Sequence, residues 1–280
     1  MNKSKKTAAG VYMVIPYILL VIVAIVSVFP LLWVFFAATH TNTQIYQTGM
    51  AFALGGNIVE NYKNLMEFSN IWRNLANSIF IAVVYTVLVC LIDSMAGFAF
   101  AKFTFKGRDT LFFVLTCSMF IPQQVTLVPL FIQLSGMGLI NTLPAVILPS
   151  LTNIFGVFLM RQNLMAYPSD LLESARIDGA GDLRVFFTIV LPTMKPVLAS
   201  LAILSFVQMW GNYLWPLIAL NDRDNFTVPL VLALMRAPGQ VVDNGAIMLG
   251  ASMALLPVVV FFLFFQKNFI QGILSGAVKG

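Results

Sequence analysis

The chain has 280 residues, of which 59% are hydrophobic and only 10% are charged, and its mean hydropathy is +0.89. Soluble globular chains carry about 25% charged residues, so this composition excludes an ordinary soluble domain and places most of the chain in lipid. The net charge of +5 does not indicate nucleic-acid binding, because the basic residues fall in short groups between apolar stretches, as in membrane proteins.

Six apolar stretches are long enough to cross a bilayer, whose hydrocarbon core takes about 20 helical residues. We expect spans at residues 11–38, 76–101, 111–134, 143–160, 197–220 and 246–266. Residues 1–10 then form an N-terminal tail, residues 39–75 a long polar outer loop, and residues 267–280 a second tail. Backbone polar groups in lipid must be satisfied within the segment, so the sequence predicts an all-α polytopic membrane protein.

The lysines and arginines are divided unequally between the two sides of these spans. Of the 16 in the chain, 12 fall on the side of the two tails and 4 on the side of the loops 39–75 and 221–245. Because positively charged loops stay in the cytoplasm, we expect both termini in the cytoplasm and those two loops outside.

A charged stretch interrupts the apolar sequence between the fourth and fifth predicted spans. Asp170 is expected to cap a helix start, with Glu173 three residues on completing a capping-box-like pair, and Gly179 is suited to the left-handed conformation that often ends a helix. Asp182 is expected to cap a second short helix, and Pro192 ends it or begins the next span. An amphipathic helix on the inner leaflet is the alternative, but the stretch is short and acidic, which favours docking to a protein partner.

This stretch has the pattern E-[AS]-A-x3-G-x9-I-x-L-P, which resembles the signature of ABC importer permeases. The matching residues are Glu173, Ser174, Ala175, Gly179, Ile189, Leu191 and Pro192, with Asp178 inside the pattern. Further stretches are similar to the carbohydrate subgroup, in particular the maltose-type second permease subunit: residues 121–130, 138–142, 175–180, 215–217, 271–272 and 276–280. The outer loop at residues 236–244 is shorter than is usual in that subgroup.

The resemblance implies a type I ABC importer permease fold of six transmembrane helices with a cytoplasmic coupling helix. Residues 76–266 would form the permease core, and residues 168–192, here called the coupling segment, would dock on a cytoplasmic ATPase. The implied partners are a second permease subunit in a heterodimer, two ATPase subunits and an extracytoplasmic binding protein that delivers a sugar. ATP and Mg²⁺ would bind the ATPase subunits, and this chain would hold no cofactor. The implied location is the bacterial inner membrane.

Asp93 is the ionisable residue that lies deepest in a predicted span, about 12 Å from its inner end. A carboxyl group within a bilayer is a candidate functional group. It is either a packed or protonated group that bonds a neighbouring helix, including one in a partner subunit, or part of a gate or pathway, or a proton carrier.

Five side-chain amides in the predicted spans are candidates for sugar contacts, because an amide offers both the donors and the acceptors that hydroxyl groups require. They are Gln123, Gln124, Asn153, Gln208 and Asn212. Hydrogen bonds between helices are the alternative use of such residues.

No catalytic or metal-binding constellation is visible in the sequence. His40 is the single histidine, and no phosphate-binding glycine loop is present, so we expect no metal site and no ATP hydrolysis by this chain. A secondary transporter would need ion-coupling charges in the membrane, for which Asp93 alone is thin support. An intramembrane enzyme would need convergent catalytic groups.

Overall fold

The computed structural model describes residues 3–46 and 53–277, with side chains described for residues 16–46 and 53–267. Throughout these ranges the regular structure is helical, and the described residues form no strand. The helices, in chain order, are α1 (Lys3–Ala37), α2 (Asn42–Tyr46), α3 (Ile58–Phe68), α4 (Ile71–Lys102), α5 (Arg108–Cys117), α6 (Gln123–Gly136), α7 (Leu143–Ser150), α8 (Ile154–Met165), α9 (Asp170–Ile177), α10 (Asp182–Val185), α11 (Leu191–Thr193), α12 (Lys195–Trp210), α13 (Leu214–Ala219), α14 (Val228–Leu234) and α15 (Asn244–Ala277). Single 3₁₀ turns lie at Ser118–Phe120 and Arg223–Asn225, and a π-helix lies at Phe186–Val190.

Three helical segments of the described chain are each long and apolar enough to cross a membrane: Pro16–Ala37, Ile71–Lys102 and Asn244–Lys267. Three pairs of consecutive helices also qualify when each bent pair is counted as one span, with bends of 101°, 43° and 82°. The total of up to six spans agrees with the number expected from the sequence.

The predicted span 111–134 is not one helix. The chain turns by 101° between Arg108–Phe120 and Gln123–Gly136, and Pro122 stands at the turn with φ −61° and ψ 132°. Proline has no backbone N–H and disfavours a helical conformation in the residue before it, so a continuous helix is broken at this point.

The predicted spans 143–160 and 197–220 are also broken, each beside a polar residue. Asn153 is the N-cap of α8 after the first break, and its side chain accepts a hydrogen bond from the N–H of Gly156 at 3.4 Å. Asn212 follows the end of α12, and its Oδ1 accepts from the N–H of Trp215 at 3.4 Å. An amide that caps a new helix satisfies a backbone donor left free by the break. The first of these spans continues to Met165, beyond its predicted end.

Other helix bounds differ from the prediction at their ends. Helix α4 begins at Ile71 rather than at residue 76, because the side chain of Asn70 accepts from the N–H of Arg73 and caps it. Helix α1 includes most of the predicted tail 1–10. Helix α15 runs through most of the predicted tail 267–280, and residues 278–280 lie outside the described residues.

The chain divides into two compact units, one of residues 1–68 and 235–255 and the other of residues 69–234 and 256–280. In the first unit, the predicted outer loop contains α2 and α3 rather than irregular chain. Asn61 of α3 is 1% exposed, and its Nδ2 donates to the backbone oxygens of Ala38 and His40 at 2.8 and 3.0 Å. These bonds anchor α3 to the end of α1.

In the second unit, α4 packs along both α8 and α12. Two glycines allow α4 and α8 to approach closely. A Cβ at Gly97 of α4 would lie 2.5 Å from Cβ of Met160, and a Cβ at Gly156 of α8 would overlap the carboxylate of Asp93. Small residues at helix crossings permit this kind of backbone approach in membrane bundles, and α4 and α8 therefore form a tightly packed pair.

Candidate functional site

A polar cavity of about 230 Å³ lies in the second unit, among the ends of broken helices. At about 30 Å³ per water molecule, this volume would hold about eight waters. Its lining consists of Tyr85, Gln123, Pro149, Ser150, Thr152, Asn153, Gln208, Met209 and Asn212. Four of the five amides singled out in the sequence therefore share one cavity.

Helix breaks place three of these amides. Gln123 is the first residue of α6, Asn153 precedes α8, and Asn212 lies between α12 and α13. The bends of 101° and 43° each bring one amide to the cavity, and the end of α12 brings the third; the 82° bend, between Thr193 and Lys195, brings none. Discontinuous helices in transporters expose polar backbone and side-chain groups at their ends, which suits them to form binding sites within a membrane.

The remaining amides separate into one that lines the cavity and one that does not. Gln208 reaches the cavity from within α12. Gln124 is exposed and lies outside the lining, although it is adjacent to Gln123.

The hydroxyl groups of the lining, on Tyr85, Ser150 and Thr152, were not predicted from the sequence. Tyr85 is 2% exposed within an otherwise apolar helix. A phenol in such a stretch was the available signal, because a buried tyrosine hydroxyl needs a polar neighbour.

Asp93 does not line the cavity. It is 1% exposed, so its own chain covers it and no surface remains for a bond to a partner subunit. Its neighbour is Gly156 of α8, where an added Cβ would overlap Oδ2. That oxygen has no hydrogen-bond partner within the described residues.

The coupling segment folds as two short helices joined by a glycine turn. Gly179 has φ +82°, a conformation that favours glycine, and α9 ends just before it as the sequence indicates. The expected caps are wrong, because α9 and α10 begin at Asp170 and Asp182 themselves. Ser169 precedes α9 and makes no side-chain cap bond; its carbonyl instead accepts from the N–H of Glu173 at 3.0 Å.

The second half of the signature lies in the π-helix Phe186–Val190 and in α11. Ile189 and Leu191 are half-buried, and Pro192 is exposed. The N–H of Leu191 bonds the carbonyl of Phe186, five residues back, which is the spacing of a π-turn. Pro192 has no N–H with which to continue an ordinary helical ladder, so the wide turn fits the proline that follows it.

The coupling segment presents a face that is both apolar and acidic. Helix α9 has three large apolar side chains. Leu172 is buried, whereas Leu171 and Ile177 are 50% and 85% exposed. Glu173 and Asp178 are exposed, and no ion pair joins either of them to a basic side chain in the described part of the chain. Ser174 is exposed and Ala175 is half-buried. Exposed apolar groups beside unpaired acids are typical of a surface that receives a protein.

Neither a metal centre nor a disulfide forms among the described residues. His40 bonds the carbonyl of Phe36 through Nδ1 at 2.8 Å. Cys90 and Cys117 are free thiols; Cys90 is half-buried and Cys117 is exposed.

The fold and the polar cavity define a polytopic membrane transport subunit, and comparison with known proteins agrees. Residues 93–275 match the family described as "Binding-protein-dependent transport system inner membrane component". The chain is 37% identical over 262 residues to the arabinooligosaccharides transport system permease protein AraQ of Halalkalibacterium halodurans, covering 92% of this chain and 93% of that protein. It is 34% identical over 266 residues to the lactose transport system permease protein LacG of Rhizobium radiobacter, covering 95% and 96%.

A solved structure shares the fold. It is described as a bacterial ABC transporter involved in the import of the acidic polysaccharide alginate, and it matches with a TM-score of 0.79 over 96% of this chain and 99% of that chain. The sequences are 22% identical, so this likeness concerns the fold alone.

The chain therefore belongs to the family of inner-membrane components of binding-protein-dependent transport systems. The predicted six-span type I permease fold and the resemblance to ABC importer permeases are confirmed. The chain is a transport subunit, and ATP hydrolysis in such importers belongs to a separate subunit.

Proposed function

We propose that this chain is the permease subunit of an ATP-driven importer for a neutral sugar or oligosaccharide, and that the cavity at the helix breaks lies on the sugar's path. The observation that supports this most directly is the convergence of four amides and three hydroxyl groups on one cavity. Such groups both donate and accept hydrogen bonds, and sugar hydroxyls require both.

The charge of the lining favours a neutral ligand. No lysine, arginine, histidine or carboxylate is among the lining residues of the described cavity. An acidic sugar in a low-dielectric site would need a basic partner to offset its desolvation. The transporter of the solved structure is described as importing an acidic polysaccharide, and the relatives AraQ and LacG are named for arabinooligosaccharides and lactose. The lining here suits the second group.

The coupling segment would dock on a cytoplasmic ATPase, with Glu173 bonding a basic residue there and Gly179 fixing the turn. The exposure of Ile177 and Glu173 supports this assignment. Two ATPase subunits, a second permease subunit and an extracytoplasmic binding protein would complete the importer. ATP and Mg²⁺ would bind to the ATPase subunits, and closure of those subunits would shift the bundle between inward-open and outward-open states.

Adjacent glutamines provide a matched test of the cavity. In proteoliposomes holding the whole transporter, Gln123→Ala should lower the uptake of lactose or arabinooligosaccharide by about 2- to 12-fold, the value of one net hydrogen bond. Gln124→Ala removes the same side chain one residue away, outside the lining, and should leave uptake unchanged. Equal effects of the two variants, or uptake of an alginate oligosaccharide in preference to both neutral sugars, would contradict the proposal.

The coupling segment is tested through the ratio of sugar imported to ATP hydrolysed. Glu173→Ala and Gly179→Pro should lower that ratio while the protein stays in the membrane, because the first removes the docking carboxylate and the second forbids φ +82°. Gly181→Ala is the control, since Gly181 has φ −69° and nothing lies within 4 Å of an added Cβ. Full coupling in both test variants would refute the docking assignment.

The proposed orientation places the coupling segment and both termini in the cytoplasm. Ile177 and Val241 are 85% and 97% exposed and lie on opposite predicted sides. In a background without Cys90 and Cys117, a membrane-impermeant maleimide added to intact cells should label Val241→Cys and not Ile177→Cys. Labelling of Ile177→Cys and not of Val241→Cys would show that the proposed orientation is wrong.

A further inference from the structure

The cytoplasmic end of α4 holds the chain that leads into the coupling segment. The ammonium group of Lys102, the last residue of α4, donates to the carbonyl of Tyr167 at 2.5 Å and to Oγ of Ser169 at 3.3 Å. Both acceptors lie between α8 and α9, in a linker of four residues that contains Pro168. Hydrogen bonds from a charged donor are about twice as strong as neutral ones, so Lys102 restrains a linker that would otherwise act as a hinge.

Aromatic rings make a second connection between α4 and the coupling segment. The guanidinium carbon of Arg176 in α9 lies 5.6 Å from the ring centre of Phe103, within the range of a cation–π contact. The ring of Phe98 packs against Phe103 at 5.4 Å and against Phe186 at 5.6 Å. Both halves of the coupling segment therefore contact the end of α4.

Helices α4 and α8 also join this region to the cavity. The two helices pack closely at Gly97 and Gly156, where an added Cβ on one helix would clash with atoms of the other. Tyr85 of α4 and Asn153 before α8 both line the cavity. Tyr85 is 17 residues before Lys102, about 26 Å along the helix. If α4 and α8 are both attached to the coupling segment at their cytoplasmic ends, a displacement of the segment would also move the cavity-lining residues of both helices.

We propose that Lys102 is a positioning residue that clamps the coupling segment to α4, so that the segment and the α4–α8 pair move as one body. The inference rests on the proposed docking of the coupling segment. Helix α8 is joined to the segment covalently, whereas the described direct contacts between α4 and the segment are those of Lys102 and of the aromatic rings. Loss of the clamp would let the segment pivot at the linker without moving α4.

Spin labels measure this rigidity directly. Labels at Thr104→Cys, just after α4, and Ile177→Cys, in α9, would be placed in the assembled transporter lacking Cys90 and Cys117. The distance between them should be the same with and without ATP when Lys102 is present. In Lys102→Met the distribution should broaden and differ between the two states. A distance that changes with ATP in the parent protein, or that Lys102→Met leaves unaltered, would overturn the clamp.

The amount of sugar imported per ATP hydrolysed is an independent test of the clamp. Lys102→Met should lower the sugar imported per ATP about fivefold, the value of roughly one net hydrogen bond, while the ATPase subunits still co-purify. Lys102→Arg keeps a charged donor and should restore most of the ratio. Lys106→Met removes an equal charge at an exposed position of the following loop and should have no effect.

The variant Glu173→Ala separates the two proposals. If it uncouples the transporter and Lys102→Met does not, the clamp is wrong and the docking role of the coupling segment stands. If Glu173→Ala and Gly179→Pro have no effect, the docking role fails, and with it the basis of the clamp.

Discussion

The contact between Gly156 and Asp93 leads to a quantitative prediction for a double-mutant cycle. A Cβ at Gly156 would overlap Oδ2 of Asp93 and lie 2.8 Å from its Cγ and 3.0 Å from Cδ1 of Leu201. Ordinary carbon contacts are about 3.5–4.0 Å, and overpacking of a core costs about 1–3 kcal/mol. We take the upper end of this cost, about 3 kcal/mol, because the overlap is severe. Subtracting up to about 1 kcal/mol for the better helix propensity of alanine leaves Gly156→Ala destabilising by about 2 kcal/mol.

The same substitution should be harmless once the carboxylate is gone. In an Asp93→Ala background the clashing oxygen and Cγ are absent, and only the flexible end of Leu201 remains near the new methyl group. Gly156→Ala should then be neutral or slightly stabilising, which gives a coupling free energy of about 2–3 kcal/mol between the two positions.

Thermal unfolding of the purified transporter is the assay. At about 2–4 °C per kcal/mol for a chain of this size, Gly156→Ala should lower the midpoint by about 4–8 °C, and Gly156→Ala/Asp93→Ala should lie within about 2 °C of Asp93→Ala. Equal losses in the two backgrounds would show that Asp93 does not fill the space over Gly156, and the packing account of the α4–α8 crossing would be wrong.

Three further predictions concern positions that the sequence does not single out for stability. Gly97→Ala should be destabilising by about 1–3 kcal/mol, because its Cβ would lie 2.9 Å from the backbone nitrogen of Arg161; thermal unfolding compared with Gly136→Ala, where nothing lies within 4 Å, measures this. Trp215→Phe should cost about 1–3 kcal/mol in the same assay, since it removes a buried 2.8 Å bond to a backbone carbonyl. Asn61→Leu should speed proteolysis of the 39–75 region, since it leaves two carbonyls without their donor.

The number of spans and the coupling segment could be predicted from the sequence because their signals are local. Apolar length sets the spans, and Gly179 ends α9 at the expected residue. Helix continuity could not be predicted in this way. Pro149, Ser150 and Thr152 interrupt the apolar stretch beside Asn153, but only packing decides that the amide of Asn153 caps a new helix. The expected caps failed because α9 and α10 already begin at Asp170 and Asp182, a shift of one residue that sequence pattern does not resolve.

The convergence of amides on the cavity was likewise invisible in the sequence, because residues from four helical segments meet there. Residue type alone identified each amide as a candidate, but it could not show which of them lie together in the fold. Gln123 and Gln124 are equivalent by type and by hydropathy, and only the turn at Pro122 decides which one lines the cavity.

The structure also narrows the role of Asp93. A gate or pathway residue should line the cavity, and Asp93 does not. A residue that binds a second subunit should have exposed surface, and Asp93 is 1% exposed within its own chain. What remains is its fit against Gly156, at a crossing where a carboxyl fills the space that a side chain on α8 would need. We therefore expect Asp93 to act through the packing of α4 against α8, which the double-mutant cycle with Gly156 tests.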